Sequence, residues 1–481
     1  MTLDELCTRR VAVWGMGGEG LAMARLLIQR GVDPMYIDDS SDVAQGRLDR
    51  QAGTGGRVQA PGDVTWSDVD VVVRAPGVSR YRPELDRARS HGVAVTTAMA
   101  LWLEDFAEAR VVAVTGTKGK STTAALTAAI LGEEGMAVAL IGNIGVPVVE
   151  WYGRPLVDAY VVEVSSYQAA DVEVSPGVVV LTSLAPDHLD WHGGEEQYYR
   201  DKLRLVEAGP AGALAVNAGS AEAVRRTDHH PARTLYGPAG PVRVDDAGRV
   251  TVDGTPVMDG SDLRPPGLHN LWNLCGAITG ATLLNGPPPS AATIEAVVEG
   301  FEGLPSRCRT VGERHGLTFV DDALASNPFA TVASLGAFPG REVTVILGGA
   351  DRGVDPRELI DALSLRRPTP RVVVLPPDQG RLVDALASPG AGRPSPVVEL
   401  AEDVAGAVRA AVAVTPRGGV VLFSPAAPTP EGEGGFGARS RQFVDAAGLD
   451  PEGPGIDSRR RDGNGVAPDA GSVRSEGGGG G

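Results

Sequence analysis

Three of the 44 basic residues are lysine, and they stand at Lys118, Lys120 and Lys202. A chain that otherwise uses arginine keeps lysine where arginine would not do, as where a compact point charge is wanted. Two of the three fall in Gly116-Thr117-Lys118-Gly119-Lys120-Ser121-Thr122, after the apolar run Val111 to Val114 and before the small-residue stretch that ends at Ile130. A buried strand, a glycine turn and a helix start place backbone N–H groups and the helix dipole where they hold a nucleotide phosphate. Lys120 would reach the β- and γ-phosphates, and the Ser121 hydroxyl would ligate Mg²⁺. These residues predict an ATP site. The general G-x-x-x-x-G-K-[ST] form puts its first glycine where this chain has Val114, so the match is partial. The alternative is a glycine-rich turn that binds nothing.

The elements that must position such a turn repeat three times. In the first unit a strand from Arg10 to Trp14 precedes Gly15-Met16-Gly17-Gly18-Glu19-Gly20, and a strand from Met35 to Ile37 ends in Asp38-Asp39-Ser40. Glycines at 15, 17 and 20 with an acidic residue about twenty positions on make a dinucleotide or nucleotide-diphosphate fingerprint. A strand from Val69 to Val73 then leads into a loop containing Gly77.

The second unit opens at Val111 and passes through Gly142-Asn143-Ile144-Gly145 to the strand that carries Glu163. A strand from Val178 to Leu181 follows, then Ala185 to His192 and a helix from Glu195 to Val206 that bears Lys202. Short strands and Gly/Asp/Pro turns between Gly212 and Arg264 suggest a small strand-rich insertion. The third unit starts near Pro305, with strands at Leu317 to Val320, Val343 to Leu347, Arg371 to Leu375 and Gly419 to Phe423. Strands separated by helical patterns predict an α/β protein with parallel sheets. The boundaries read as 1–109, 110–303 and 304–450, with a tail over 451–481 too poor in apolar residues to order itself.

Bulk properties narrow the function. The length of 481 residues fits about three domains. A net charge of −17 opposes a nucleic-acid or membrane-surface role, since both need a basic face. Cys7, Cys275 and Cys308 are far apart and without metal-site spacing, as expected of core residues in a reducing compartment. The acidic start Met1-Thr2-Leu3-Asp4-Glu5 is unlike a signal peptide, and no run of 18 apolar residues occurs, so a cytoplasmic protein is expected.

Taken together, the GTKGKST turn, GNIG, EVSSYQ, APDHLDWHG with a lysine downstream, GLHNLWN and the aspartate at Asp322 resemble the Mur ligases, in order, over residues 8 to 447. The resemblance implies an N-terminal Rossmann-like UDP-binding domain, a central P-loop ATPase domain and a Rossmann-like C-terminal domain that receives an amino acid. It implies an ATP-dependent ligase that adds glutamate to UDP-N-acetylmuramoyl-L-alanine through an acyl phosphate, with ATP and Mg²⁺ as cofactors, small molecules as partners and a monomeric state. Lys120, Lys202 and His188 would be catalytic, and Ser121, Glu163, His188 and Lys202 as its carbamate would hold metal. Asn270, Asn273, Arg307 and Asp322 would complete the ATP site begun by Gly116 to Thr122. Gly18, Glu19, Asp38, Asp39, Ser40, Gly77 and Asn143 would meet the UDP-linked substrate. Ser326, Arg352, Thr429 and Phe436 would meet glutamate. Without the resemblance each asparagine reads equally as a helix cap or turn residue.

The chain also departs from the family. A D-S-K-A-T-N run reads Asp322-Ala323-Leu324-Ala325-Ser326-Asn327, which removes a positive charge near an anionic amino acid. Thr429, Pro430 and Glu431 stand ahead of Phe436 where the family has serine, leucine and aspartate. This altered pocket, with GTKGKST at the phosphate turn, resembles the subfamily that takes L-glutamate; D-glutamate is the alternative. Folylpolyglutamate synthesis shares the ATP chemistry but not the Gly15–Gly20 domain. A regulatory homologue without catalysis would fit the loss of lysine at Leu324, yet not the retention of Lys120, Glu163, His188 and Lys202.

Overall fold

Apolar runs of four or five residues, buried along their whole length, build three sheets in the computed structural model, which describes residues 1–51, 56–144, 146–208, 212–264, 266–350, 354–377, 381–388, 395–430 and 432–449. Val11–Trp14, Val71–Arg74, Val111–Thr115, Ala159–Glu163, Val178–Leu181, Val343–Leu347 and Val420–Phe423 have no exposed position. Continuous rather than alternating burial is the mark of parallel strands covered by helices on both faces. The chain divides into two units, Met1–Arg309 with Ala333–Pro339, and Thr310–Val332 with the chain from Gly340 onward.

The first unit holds two of the sheets. One is wholly parallel, in the order Val58–Gln59, Met35–Ile37, Val11–Trp14, Val71–Arg74, Ala94–Thr96. Strand order reverses beside Val11–Trp14, so the loops after that strand and after Val71–Arg74 face each other at the crevice where α/β sheets take ligands. Helix Gly18–Gln29 starts there. Gly20 lets it pack, since a Cβ at that position would strike the carbonyl of Gly15.

The second sheet has nine strands. Val111–Thr115 lies inside it, parallel to Ala159–Glu163 on one side and Val178–Leu181 on the other. Register pairs Val114 with Glu163 and Thr115 with Leu181. The turns following these three strands therefore leave the sheet side by side. The stretch from Gly212 to Arg264 is not the separate insertion expected from its turn residues: Ala213–Asn217, Arg233–Gly237 and Val242–Val244 extend the same sheet in parallel, and Arg249–Val252 and Thr255–Asp259 close its edge antiparallel. Short strands alternating with turns look alike whether they form their own sheet or lengthen another. A continuous apolar core runs from Leu27 and Trp102 beside the first sheet to Tyr160, Tyr199 and Leu205 beside the second, which is why both belong to one unit.

The second unit carries a six-stranded sheet in the order Arg309–Arg314, Leu317–Asp321, Val420–Phe423, Val343–Leu347, Arg371–Val374, Val398–Leu400. From Leu317–Asp321 to Val398–Leu400 neighbours are parallel. The sequence reading locates the inner strands and misses the edge strands Val58–Gln59, Ala94–Thr96, Arg309–Arg314 and Val398–Leu400, whose burial is only partial.

Candidate active site

Three turns at the ends of adjacent central strands make the site. After Val111–Thr115 the chain enters Gly116 at φ 146° and Gly119 at φ 89°, and helix Lys120–Glu133 begins. Both glycines are needed on two counts: the backbone is in the positive-φ region that side chains resist, and a Cβ would press on Thr182 Oγ1 at Gly116 and on Asn273 Oδ1 at Gly119. The turn is held from outside. Thr182 Oγ1 donates to Lys118 O at 2.6 Å, Lys118 N donates to Ser183 Oγ at 2.9 Å, and Thr117 Oγ1 donates to Ala185 O at 3.0 Å.

Lys120 is partly buried, and its Nζ donates to Thr117 O at 3.1 Å. Burial lowers its ammonium from 10.5 to about 8, with Glu163 opposing the shift and Lys118 and Arg307 adding to it. Lys202 reaches in from helix Glu195–Glu207, with Nζ donating to Gly116 O at 2.9 Å and lying 5.2 Å from the Tyr198 ring centroid. At 2 % exposure the ammonium is poorly solvated, so its pKa falls well below the usual lysine value, helped by repulsion from Lys120.

Glu163 is completely buried at the end of its strand. Ser121 Oγ donates to its Oε2, and Asn143 Nδ2 donates to its Oε1 at 2.7 Å. A buried carboxylate beside a hydroxyl offers the hard oxygen donors that Mg²⁺ prefers. Among the described residues no three His, Cys, Asp or Glu side chains form a metal cage. Mg²⁺ needs no such cage where one or two protein oxygens share the ion with phosphates. His188 is at φ 53°, half exposed, 5.0 Å from the Tyr167 ring, and 3.8 Å from Asp187 by its Nε2. Burial and the three lysines depress its pKa against the pull of Asp187, which favours the neutral imidazole that can ligate a metal. Thus Lys118, Lys120, Lys202, Glu163, Asp187 and His188 sense one another electrostatically around a single turn.

The buried asparagines both sit on helix Leu268–Asn285 against the phosphate turn. Asn273 Nδ2 donates to Asn270 Oδ1 at 3.2 Å, and Asn273 Oδ1 accepts from Thr123 Oγ1 at 3.3 Å. Thr122 is in the first turn of helix Lys120–Glu133. In the first sheet Gly77 is exposed beyond Val71–Arg74, and Gly18 begins the helix that faces it. Asp38 is taken up locally, accepting from Met16 N at 2.7 Å and Ser40 N at 2.9 Å, while Asp39 pairs with Arg82. Glu19 turns toward the central domain, its Oε2 accepting from Gln168 Nε2 at 3.0 Å, and burial raises its pKa. A carboxyl group so placed is spared the repulsion expected beside a diphosphate.

In the second unit Asp322 accepts from Ser424 Oγ at 2.6 Å, and Ser424 is bonded in turn to Thr331 Oγ1 at 2.9 Å. Ser326 lines an open recess with Ala350, Val354, Arg381 and Pro428. Thr429 lies next to that recess in sequence, and Phe436 is the exposed first residue of helix Phe436–Ala447. Arg352 lies outside the described residues.

Residue-type reasoning missed the partners of these groups. Tyr198 OH bonds Thr117 Oγ1 at 2.7 Å. His192 Nδ1 bonds Asp201 Oδ2 at 2.6 Å, and His192 Nε2 bonds Ser166 Oγ at 3.0 Å. His192 and Ser166 lie inside the quoted APDHLDWHG and EVSSYQ runs and Asp201 stands beside Lys202, which was the available signal.

Residues 114–281 match the Mur ligase middle domain, and residues 306–427 match the Mur ligase glutamate ligase domain. A UDP-N-acetylmuramoyl-L-alanine--L-glutamate ligase of Micromonospora sp. is 40% identical over 462 residues, 93% of this chain and 98% of the relative. The chain belongs to the Mur ligase family. This Mur ligase is also 35% identical over 481 residues to the protein of the same name in Xanthomonas euvesicatoria pv. vesicatoria, 94% of this chain and 97% of the relative. Its fold is that of the UDP-N-acetylmuramate-alanine ligase of Thermotoga maritima, with a TM-score of 0.57 at 20% identity over 91% of this chain and 98% of that one. The pseudomurein peptide ligase type C of Methanothermus fervidus gives 0.53 at 17% identity over 91% and 100%. No helix among the described residues of this Mur ligase is long and apolar enough to cross a membrane.

Proposed function

We propose that this Mur ligase joins L-glutamate to UDP-N-acetylmuramoyl-L-alanine at the expense of ATP. The observation that carries the reading is the convergence of Lys120, Lys202 and the Ser121–Glu163–Asn143 cluster on the turn after Val111–Thr115. In the first step a carboxylate oxygen of the muramoyl-alanine attacks the γ-phosphorus and ADP leaves. In the second the glutamate amine attacks the acyl carbon, the amide bond forms, phosphate departs and the amine gives up its proton. Both partners of the first step are anions, so charge neutralisation and alignment supply most of the catalysis.

Each residue has a place in that scheme. Lys120 neutralises the β- and γ-phosphate oxygens, and the N–H groups opening helix Lys120–Glu133 orient them. Ser121 and Glu163 would hold Mg²⁺ on the phosphates and His188 a second ion near the acceptor carboxylate; the ions supply Lewis-acid charge stabilisation. Lys202, whose ammonium is disfavoured by burial and by Lys120, is suited to carbamylation, which would turn it from a cation into an oxygen ligand. Asn143, bonded to Glu163, would face the acceptor carboxylate. The first domain over 1–109 would hold UDP at the Gly18 and Gly77 loops, the 110–303 domain ATP, and the 304–450 domain glutamate around Ser326, Thr429 and Phe436. The L-enantiomer is supported by relatives 35–40% identical over 93–94% of the chain that are named L-glutamate ligases, and by Leu324 in place of the family's lysine.

Phosphate release tests it. With UDP-N-acetylmuramoyl-L-alanine, ATP and Mg²⁺, turnover is expected with L-glutamate and not with D-glutamate. Silence with both enantiomers overturns the ligase reading, and turnover with D-glutamate alone overturns the stereochemical one.

A further inference from the structure

The loop that leaves Val71–Arg74 continues past Gly77 to Ser79 and Tyr81, and both side chains bond to the central domain. Ser79 Oγ donates to Trp191 O at 2.7 Å. Tyr81 OH donates to Asp201 at 2.7 Å for Oδ1 and 2.9 Å for Oδ2. Asp201 is 1% exposed and saturated with donors: besides Tyr81 it accepts from Gln197 Nε2 at 2.9 Å and bonds His192 Nδ1 at 2.6 Å. His192 in turn bonds the Ser166 hydroxyl through Nε2 at 3.0 Å. Directly and through His192, one carboxylate thus links four pieces of chain: the Gly77–Tyr81 loop, helix Leu189–His192, Ser166 three residues beyond Glu163, and helix Glu195–Glu207.

Asp201 immediately precedes Lys202, and consecutive residues on a helix diverge by about 100°. The same helix turn therefore faces Asp201 to the first domain's loop and Lys202 to Gly116. Anchors on two sides fix the roll of the helix, which neither does alone. Catalytic groups displaced by about 1 Å lose much of their effect on a reaction that depends on alignment.

We infer that Tyr81 and Asp201 are positioning residues, which set helix Glu195–Glu207 and hence Lys202 in register with the acceptor-binding loop of the first domain. The inference rests on the ligase reading above. Neither residue touches the reacting atoms. Their bond matters to the chemical step and not to capture of ATP.

Tyr81→Phe is the test, because it deletes only a hydroxyl from a side chain that is 40% exposed. Expected is a fall in kcat of about tenfold, the size of one hydrogen bond to a charged group, with KM for ATP and the melting temperature unchanged. Asp201→Asn, which weakens the same anchor from the other side, is expected to lower kcat at least as far. Unchanged kcat in Tyr81→Phe overturns the inference, and so does a loss that tracks a lowered melting temperature, which would assign the bond to fold maintenance. Wild-type enzyme that releases no phosphate with this acceptor overturns the ligase reading itself, and is thereby told apart from failure of the positioning role.

Discussion

Lys202 Nζ donates a 2.9 Å hydrogen bond to the carbonyl oxygen of Gly116, tying helix Glu195–Glu207 to the first residue of the phosphate turn. A guanidinium cannot replace this amine, since it stays protonated and so forms no carbamate. Lys202→Arg is therefore expected to lower kcat by about two to three orders of magnitude, the scale of losing one preorganised charge-stabilising group. Phosphate release measures it, with bicarbonate added to both enzymes. Turnover of Lys202→Arg within a few-fold of wild type would remove Lys202 from the mechanism.

Lys120 gives a pH signature. Its folded-state pKa is about 8 against an ordinary 10.5. Between those values the unfolded chain binds more protons than the folded one, so stability of the ligand-free protein rises with pH through that window and is lowest below about pH 8. Polyanionic phosphates favour the ammonium and raise the pKa again. Binding of a non-hydrolysable ATP analogue near pH 8.5 is thus expected to take up a proton, seen calorimetrically as a dependence of the heat on buffer ionisation enthalpy. Lys120→Met should abolish that dependence and turnover together. A wild-type heat that is the same in every buffer contradicts the assignment.

How much of this was readable from sequence differs by element. The phosphate turn was, because glycine, lysine and serine at fixed spacing leave few other uses, and Gly116 and Gly119 do adopt the backbone that only glycine tolerates easily. The buried parallel strands were, since four- and five-residue apolar runs announce them. The partnership of Asp201 with Tyr81 was not: it joins positions 120 residues apart, and neither residue type signals a partner that distant. Glu19 shows the same limit from the other side. Its place in the glycine fingerprint was legible, but its hydrogen bond to Gln168 was not, since only tertiary packing supplies that neighbour.

Glu163 should separate metal binding from folding. Its two oxygens accept from Ser121 and Asn143 within a closed environment, so glutamine fills the same volume and keeps one acceptor while losing the charge. Glu163→Gln is expected to fold, to need a markedly higher Mg²⁺ concentration for half-maximal rate, and to lose about two orders of magnitude in kcat. A Mg²⁺ titration of the rate gives both quantities. An unchanged Mg²⁺ requirement would show that Glu163 is not a ligand.

Arg74 predicts where the first and central domains are most sensitive. It is 1% exposed, with its guanidinium paired to Asp171, donating to Val78 O at 2.9 Å and Tyr167 O at 2.9 Å, and 5.1 Å from the Trp191 ring centroid. Removing the cation alone leaves Asp171 buried with Arg80, whose Nε is 3.5 Å away, as its remaining ionic partner. Breaking a buried pair from one side costs about 3–5 kcal/mol, mostly the penalty of the stranded charge. Arg74→Met should therefore lower the melting temperature of the first unit, and Asp171→Leu added to it should recover much of the loss, because the second change removes the charge that the first one stranded. Differential scanning calorimetry of wild type, both single variants and the double variant measures the coupling. If the double variant were destabilised by the full sum of the single effects, the two side chains would be independent, and the pair would not be what joins these domains.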